Sequence, residues 1–478
     1  MTGATAWVDV AAMFDLVVLG GGPGGEKAAV AAAYFGHRVA LVDDGLDGPG
    51  GATVHTGTLP SKTLRETALA LTGARHRGLE ARFVATPPTA ARSIEALMSR
   101  LPAIRATQTA QIRENLERHG VELVTGRGVL DGPTRVRVGD ATLETRYVLV
   151  ATGSSPRRPP QFDFTDPEVF DSDTLLALPE LPRSLAVIGG GVIGSEYASV
   201  FATFGVELEV IERAPRLLSF LDPELSEVIM RALRGLGVHL HLDDGVERLV
   251  REGPDLVLTL KSGRRRLVDK VLVSAGRVGN TRALGLETVG LAADAAGLLA
   301  VDRDFRTACP SVFAVGDVIG RPALASSAME QGRHAVAAMF GHAIPTKDFT
   351  LLASGIYTIP EAAACGPTEA ELTASGVDVI VGRAAYRHNA RGQIIGDADG
   401  LVKLVAERAT HKLRGVHLVG ELATELVHVG QSAIRLGATL EHFAESVMTY
   451  PSLSSAYKLA AYDALGAASG RPRPPPLA

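Results

Sequence analysis

Glycines at 20, 22 and 25 and an acid at Asp43 form a pattern that returns at Gly189, Gly191, Gly194 and Glu212, offset by 169 residues throughout. In each copy the glycines permit a tight turn and close approach of backbone to a pyrophosphate. That charge then meets a helix N-terminus, and the acid suits a ribose hydroxyl. Two such turns imply two dinucleotide sites, one for a tightly held cofactor and one for an exchangeable nucleotide. A second group of reactive types lies between Gly50 and Lys62, where Thr53, His55, Thr58 and Lys62 offer hydroxyls, an imidazole and an ammonium. The two cysteines, Cys309 and Cys365, stand far from it.

The elements that position these groups follow from the apolar pattern. Phe14-Asp-Leu-Val-Val-Leu-Gly20 is a short apolar run, expected as a buried parallel strand. An alanine-rich helix through Phe35 and a strand from Arg38 to Val42 complete the first unit, and Leu185 to Glu212 repeats it. Later landmarks keep the duplication but shift its offset: Gly120-Val121 matches Gly237-Val238 at 117, and Val148–Gly153 matches Val271–Gly276 at 123. The first copy therefore carries 52 residues that the second lacks, between Asp43 and Gly120. This insertion opens a helix at Pro60. It also contains a helical pattern with Ile94, Leu97, Met98, Leu101, Ile104 and Ile112 on one side, which Pro102 should kink or divide. Toward the C-terminus, Leu401 to Val405 and Leu413 to Val419 read as strands and Glu421 to Leu436 as a helix.

These motifs resemble the flavin-dependent pyridine nucleotide-disulfide oxidoreductases, the family of dihydrolipoamide dehydrogenase and glutathione reductase. The resemblance rests on both fingerprints, the Gly-Gly-(x)9-Pro-Ser-Lys62 segment, Ala151-Thr-Gly-Ser154, Ser274-Ala-Gly-Arg277 and Val312-Phe-Ala-Val-Gly-Asp317. It implies an α/β fold with two Rossmann-like FAD/NAD(P)-binding domains and a C-terminal α+β dimerisation domain. The implied boundaries are 1–155 with 277–347 for FAD, 156–276 for NAD(P), 348–470 for dimerisation, and a flexible Pro-rich tail at 471–478. FAD would be held by Gly20, Gly22, Gly25, Asp43, Thr53, Lys62, Gly128, Thr152, Gly153, Ser154, Asp317 (on the ribityl chain) and Ala325. The nicotinamide nucleotide would be held by Gly189, Gly191, Gly194, Glu196, Glu212, Arg213, Arg216 and Gly276. Lys62 would pair with Glu196 beside flavin N5; the alternative for Lys62 is a solvated helix residue.

The departures from that family carry the functional argument. Its disulfide reductases have a CxxxxC pair where this chain has Thr53 and Thr58. A threonine forms neither a disulfide nor a thiolate. These two threonines either hydrogen-bond the flavin or fill the space left by sulfur. The family's C-terminal His and Glu dyad is replaced at Tyr450 and Ser455, so no side chain there shuttles a proton at neutral pH. Tyr450 reads as packing or gating at a dimer interface, His55 as a hydrogen-bonded structural histidine or an acid, and both cysteines as structural, Cys309 in a strand-like segment. With the dithiol half-reaction gone and the nucleotide half intact, hydride passed from NADPH through FAD to NAD+ is the expected chemistry. This is the logic of the soluble transhydrogenases. Further stretches look like them: Asp171-Ser-Asp173, Glu196-Tyr-Ala-Ser199, Ser354–Pro360 and Tyr450-Pro-Ser. The alternatives are an NAD(P)H:acceptor oxidoreductase (diaphorase, quinone reductase or oxidase) and a noncatalytic redox-sensing flavoprotein. Glu212 favours NAD(H), while Arg213 and Arg216 could pair a 2′-phosphate, so the site either accepts both nucleotides or is NAD-specific with surface arginines nearby.

Composition agrees with this picture. Over 478 residues, 48 basic and 53 acidic side chains give a net charge of −5, with no electrostatic footprint for nucleic acid or an anionic membrane. No apolar run approaches the ~18 residues of a membrane span, and the first dozen residues lack the basic n-region of a secretory signal. Two cysteines fit a reducing cytoplasm. The expected partners are pyridine nucleotides and a second copy of the chain, as a homodimer or higher homo-oligomer; no metal ligand set stands out.

Overall fold

The computed structural model describes residues 13–45, 47–72, 93–320, 322–343 and 349–469. Residues 1–12 and the Pro-rich tail lie outside them. The chain divides into two compact units, one from Met1–Pro60, Arg100–Arg157 and Gly276–Asp348, the other from Ser61–Ser99, Arg158–Ala275 and Phe349–Ala478.

In the first unit, Phe14–Leu19 pairs in parallel with Val39–Asp43 and with Ala141–Val150. Glu122–Thr125 extends this sheet at one side, and Val312–Ala314 pairs in parallel with Ala141–Val150. Leu16, Val17, Val18 and Leu19 are all essentially inaccessible, which is why this run is apolar at every position rather than at alternate ones. Burying each such side chain contributes roughly 1.5–3 kcal/mol. The helix Pro23–Tyr34 packs on the helix Ala325–Phe340. Their approach requires Gly332, where a Cβ would lie 2.3 Å from the Gly24 carbonyl oxygen.

The second unit holds the repeat. Ser184–Ile188 is flanked in parallel by Glu207–Ile211 and Lys270–Val273, with the helix Val192–Thr203 following the turn. A three-stranded antiparallel sheet, Val246–Glu252, Asp255–Leu260 and Arg265–Val268, adjoins it in sequence. The C-terminal part is a five-stranded antiparallel sheet: Ala353–Ile356, Ala362–Cys365, Leu413–Val419, Leu401–Glu407 and Val379–Ala385, in spatial order. Helices Ala423–Arg435 and Ser455–Ala468 pack against it.

Three local readings are refined. The insertion contains a short helix, Gly51–His55, ahead of Thr58–Thr72, so the second helix begins before Pro60. Pro102 divides the long pattern into Ile94–Met98 and Leu101–Arg118. It stands in the first turn of the latter, where its missing N–H removes nothing. Cys309 lies in a turn, not in a strand. Pro310 cannot donate to a ladder, and the Thr307 hydroxyl organises the turn by donating to the Val312 carbonyl at 2.7 Å.

Candidate functional site

The two glycine turns are near-identical objects. Gly20 (φ +104°) and Gly189 (φ +106°) leave their strands in the left-handed region. A Cβ on Gly20 would sit 2.5 Å from the Ala151 carbonyl oxygen, and one on Gly189 2.5 Å from that of Ser274. Positions 151 and 274 are related by the same offset of 123 read from the sequence. Gly25 and Gly194 each bring the helix so close that a Cβ would fall 1.9 Å from the carbonyl of the first glycine. Gly22 and Gly191 are the N-cap residues, both extended and neither supplying a side-chain cap. The helix N-terminal N–H groups are therefore left for an external acceptor, and a pyrophosphate fits that need.

The acids complete each turn in the same way. Asp43 accepts the N–H of Gly21 and of Gly45; Glu212 accepts the N–H of Gly190 and of Ala214. Burial pushes the Asp43 carboxyl upward, opposed by these two donors. Each acid thus clamps the loop that would meet a ribose.

Where the copies differ is at the second glycine. In the first, the inserted helix begins against it: a Cβ on Gly51 would lie 2.8 Å from Gly22 Cα. In the second, nothing among the described residues stands within 4 Å of a Cβ on Gly191. One turn is covered by the insertion and the other is open.

The remaining first-unit candidates form a second cluster. Ser154 donates to Asp317 at 2.7 Å and accepts from Arg277 Nε at 2.8 Å. Asn280 Nδ2 donates to the Thr152 carbonyl at 2.9 Å. Thr152 Oγ1 is buried without a partner among the described residues, an orphaned group of the kind a bound ligand satisfies. Gly153 adopts φ +69°, and its carbonyl accepts the Asn280 N–H. Ala325 opens its helix behind Leu324, which offers no side-chain cap. Gly128 packs beneath the end of the first strand, where a Cβ would meet Leu19 Cδ2 at 2.5 Å. Thr53 lies on the short inserted helix, half-buried, and Thr58 opens the next helix, exposed. His55 Nε2 lies 3.0 Å from the Gly48 carbonyl oxygen.

In the second unit Lys62 and Glu196 are joined. Lys62 Nζ lies 2.9 and 2.8 Å from the two carboxylate oxygens, and the Glu196 side chain is only 6% exposed. Ser61 Oγ donates to the same carboxylate at 3.1 Å. Tyr357 contributes twice, donating its N–H to Glu196 at 2.9 Å and placing its ring 4.8 Å from Lys62 Nζ. Sequence reasoning quoted the Ser354–Pro360 stretch but gave Tyr357 and Ser61 no role. Arg277, quoted in its motif, was likewise left out of the site. Gly276 takes φ +97°, and its carbonyl accepts the Arg157 N–H. Arg213 is exposed, whereas Arg216 donates Nη2 to the Ser219 carbonyl at 3.1 Å. Tyr450 is 79% exposed and is not brought to any of these groups. Cys365 is buried, which pushes its thiol up to about 11. Cys309 Sγ lies 3.6 Å from Ser311 Oγ.

Among the described residues no three His, Cys, Asp or Glu side chains converge as a metal site, and no helix is long and apolar enough to cross a membrane.

Comparison with known proteins places this geometry. Residues 14–332 match the family model described as pyridine nucleotide-disulphide oxidoreductase, and 352–461 match its dimerisation domain. The soluble pyridine nucleotide transhydrogenase of Mycobacterium tuberculosis strain H37Ra is 42% identical over 460 residues, covering 95% of this chain and 97% of that one. The protein of that description from Hahella chejuensis is 40% identical, covering 95% and 98%. Among solved structures, LpdA from Mycobacterium tuberculosis aligns with a TM-score of 0.85 at 30% identity, covering 94% and 99% of the two chains. RclA from Escherichia coli, an HOCl-induced flavoprotein disulfide reductase, aligns with a TM-score of 0.83 at 25% identity, covering 93% and 98%.

Proposed function

The chain belongs to the pyridine nucleotide-disulphide oxidoreductase family, and on that premise we propose that it is a soluble pyridine nucleotide transhydrogenase moving hydride between NADPH and NAD+ on bound FAD. The observation that carries this reading is the combination of two intact dinucleotide turns with threonine at both positions of the family's dithiol. The curated relatives of that description, matched nearly end to end, support it.

FAD, when bound, supplies a two-electron acceptor and donor between the two nicotinamides. The work of this chain is binding and positioning. The first turn, with Asp43 clamping it and the inserted helix over Gly22, is suited to retaining a cofactor. Thr152, Ser154 and Asp317 offer a hydroxyl, a second hydroxyl and a carboxylate to it. The second turn, open at Gly191, suits a nucleotide that must leave and be replaced in each cycle. Lys62, neutralised by Glu196 and faced by the Tyr357 ring, is a fixed cation whose role toward the flavin is the one the family resemblance gives it. Hydride exchange between nicotinamides requires no protein proton relay, which fits Tyr450 and Ser455 where an acid–base dyad would stand. Residues 352–461 match a dimerisation domain, and a homodimer in the cytoplasm is the assembly and compartment proposed.

Anaerobic stopped-flow tests the reading. NADPH should bleach the flavin, and NAD+ should restore it at the rate of steady-state turnover. Restoration by a quinone or O2 but not by NAD+ would assign the acceptor oxidoreductase instead. A flavin that stays oxidised with both nucleotides would leave only a sensor.

A further inference from the structure

Nucleotide choice at the second turn depends on which cations stand beside Glu212, and the structure offers one that its motif does not contain. Arg216, a turn away in sequence, is directed to the Ser219 carbonyl, and its Nε is buried. The chain beyond Glu212 meets a different loop. The Glu212 N–H donates to the His241 carbonyl at 2.8 Å, and the Asp244 N–H donates to the Glu212 carbonyl at 3.0 Å. The loop through Gly245 therefore runs alongside the end of the fingerprint.

A second loop is tied to the first. The Lys261 N–H donates to the Gly245 carbonyl at 2.8 Å. Asp244, buried, accepts from the Gly245 N–H at 2.8 Å and from the Ser262 N–H at 3.2 Å and hydroxyl at 2.5 Å. Two side chains lie over the buried Gly245. A Cβ there would be 3.6 Å from both Cγ and Nε of Arg213 and 3.6 Å from Cδ of Lys261. Both side chains are exposed, and neither makes an ion pair among the described residues, whereas Arg251, Arg265 and Arg266 of the adjoining sheet do. Two unneutralised cations are thus carried on a braced platform beside the acid expected at the adenosine ribose.

We infer that Arg213 and Lys261 together form the 2′-phosphate site for NADP(H), with Lys261 as a specificity-determining residue. This rests on reading the second turn as the exchangeable-nucleotide site. The charges explain tolerance of both nucleotides. Glu212 alone accepts a 2′-hydroxyl and repels a 2′-phosphate. Two cations outweigh that single negative charge when a phosphate arrives, while costing a hydroxyl little.

The test is direct binding of 2′,5′-ADP and 5′-AMP to the holoenzyme by calorimetry, for the wild type, Lys261→Met, Lys261→Arg and Gly245→Glu. Lys261→Met should weaken 2′,5′-ADP about tenfold and leave 5′-AMP within about twofold; Lys261→Arg should retain most of the affinity. Gly245→Glu sets a carboxylate between the two cations and should weaken 2′,5′-ADP at least as much. An equal change for both ligands, or none for either, in Lys261→Met would overturn the inference. Failure of the wild type to bind either ligand would instead overturn the reading of the second turn. Lys261 is a surface side chain, so the two Lys261 variants should fold as the wild type does and carry the test if Gly245→Glu, at a buried position, does not fold.

Discussion

If flavin is the sole redox centre, the enzyme takes up one hydride equivalent per flavin and is indifferent to thiol chemistry. The perturbation is reduction by NADPH under argon followed by iodoacetamide at pH 7.5. A flavin with a redox-active dithiol consumes two equivalents and exposes a reactive thiolate; here the positions are Thr53 and Thr58. Of the two cysteines, Cys365 is 1% exposed, with burial pushing its thiol up to about 11 from an ordinary 9.0. At pH 7.5 that leaves roughly 0.03% thiolate against roughly 3% for an ordinary thiol, a hundredfold deficit before access is considered. Cys309 is half-buried in its turn and is the one expected to react, slowly, without loss of activity. Anaerobic titration read by flavin absorbance, thiol counting before and after urea, and residual transhydrogenation give three independent readouts. Bleaching that requires two equivalents of NADPH, or turnover lost only when alkylation follows reduction, would refute the reasoning.

Gly20→Ala forces a Cβ to 2.5 Å from a backbone carbonyl at φ +104°, strain of about 1–3 kcal/mol or more; the purified protein should carry little flavin. Gly189→Ala should keep its flavin but bind nucleotide at least tenfold more weakly, read by equilibrium dialysis. Glu196→Gln leaves Lys62 without its counter-charge. Because the Lys62 side chain is 23% exposed, the cost should fall toward the lower end of the buried-pair range, about 3 kcal/mol in urea unfolding. Lys403 is 3% exposed as a side chain and lies 2.8 Å from Asp222, 2.7 Å from Glu224 and 2.9 Å from Glu369. Lys403→Met strands the buried Asp222 and should cost about 3–5 kcal/mol. The same cluster predicts a pH limb. Arg383 and Lys403 overcome burial to hold the Glu224 carboxyl at about 2, against 4.5 unfolded. Its contribution is full above pH 4.5 and is lost as pH falls toward 2. Lys403→Met should flatten that limb in acid-denaturation curves.

Much of the fold was legible because parallel strands and phosphate turns leave local marks. The run read over Phe14 to Gly20 is the strand Phe14–Leu19, and the C-terminal strand Leu413–Val419 was bounded as found. The helix expected over Glu421 to Leu436 is Ala423–Arg435. Gly20 and Gly189 are glycines because the backbone there has positive φ and a carbonyl where a Cβ would be; that requirement is written in the residue type itself. The Cys309 turn was misread because an apolar stretch ending in Val312-Phe-Ala hid the effect of Pro310 and the Thr307 hydroxyl. Tyr357 and Ser61 stood in quoted motifs without a role, and Lys261 in none. Tyr357 reaches Glu196 across 161 residues, and its main contact is a backbone N–H, which any residue except proline could supply. Lys261 comes near Gly245, as Arg213 does, only through the hairpin after Asp255–Leu260, and a surface lysine after a strand has no periodicity to announce it.

The difference between the two copies bears on mechanism more than their likeness does. Both turns present the same clamp, so the pyrophosphate-binding hardware does not distinguish a retained cofactor from a transient substrate. The distinction lies in what closes over the second glycine: Gly51 against Gly22 in one copy, open space at Gly191 in the other. A reaction that passes hydride between two nucleotides at one site requires the first to leave before the second enters, so its dissociation is part of every turnover. Covering Gly191 as Gly22 is covered would tighten binding and slow release together, and uniform tightening gains nothing once substrate is saturating. On the proposed function, the inserted helix against Gly22 is what would distinguish a retained cofactor's turn from the open turn at Gly191.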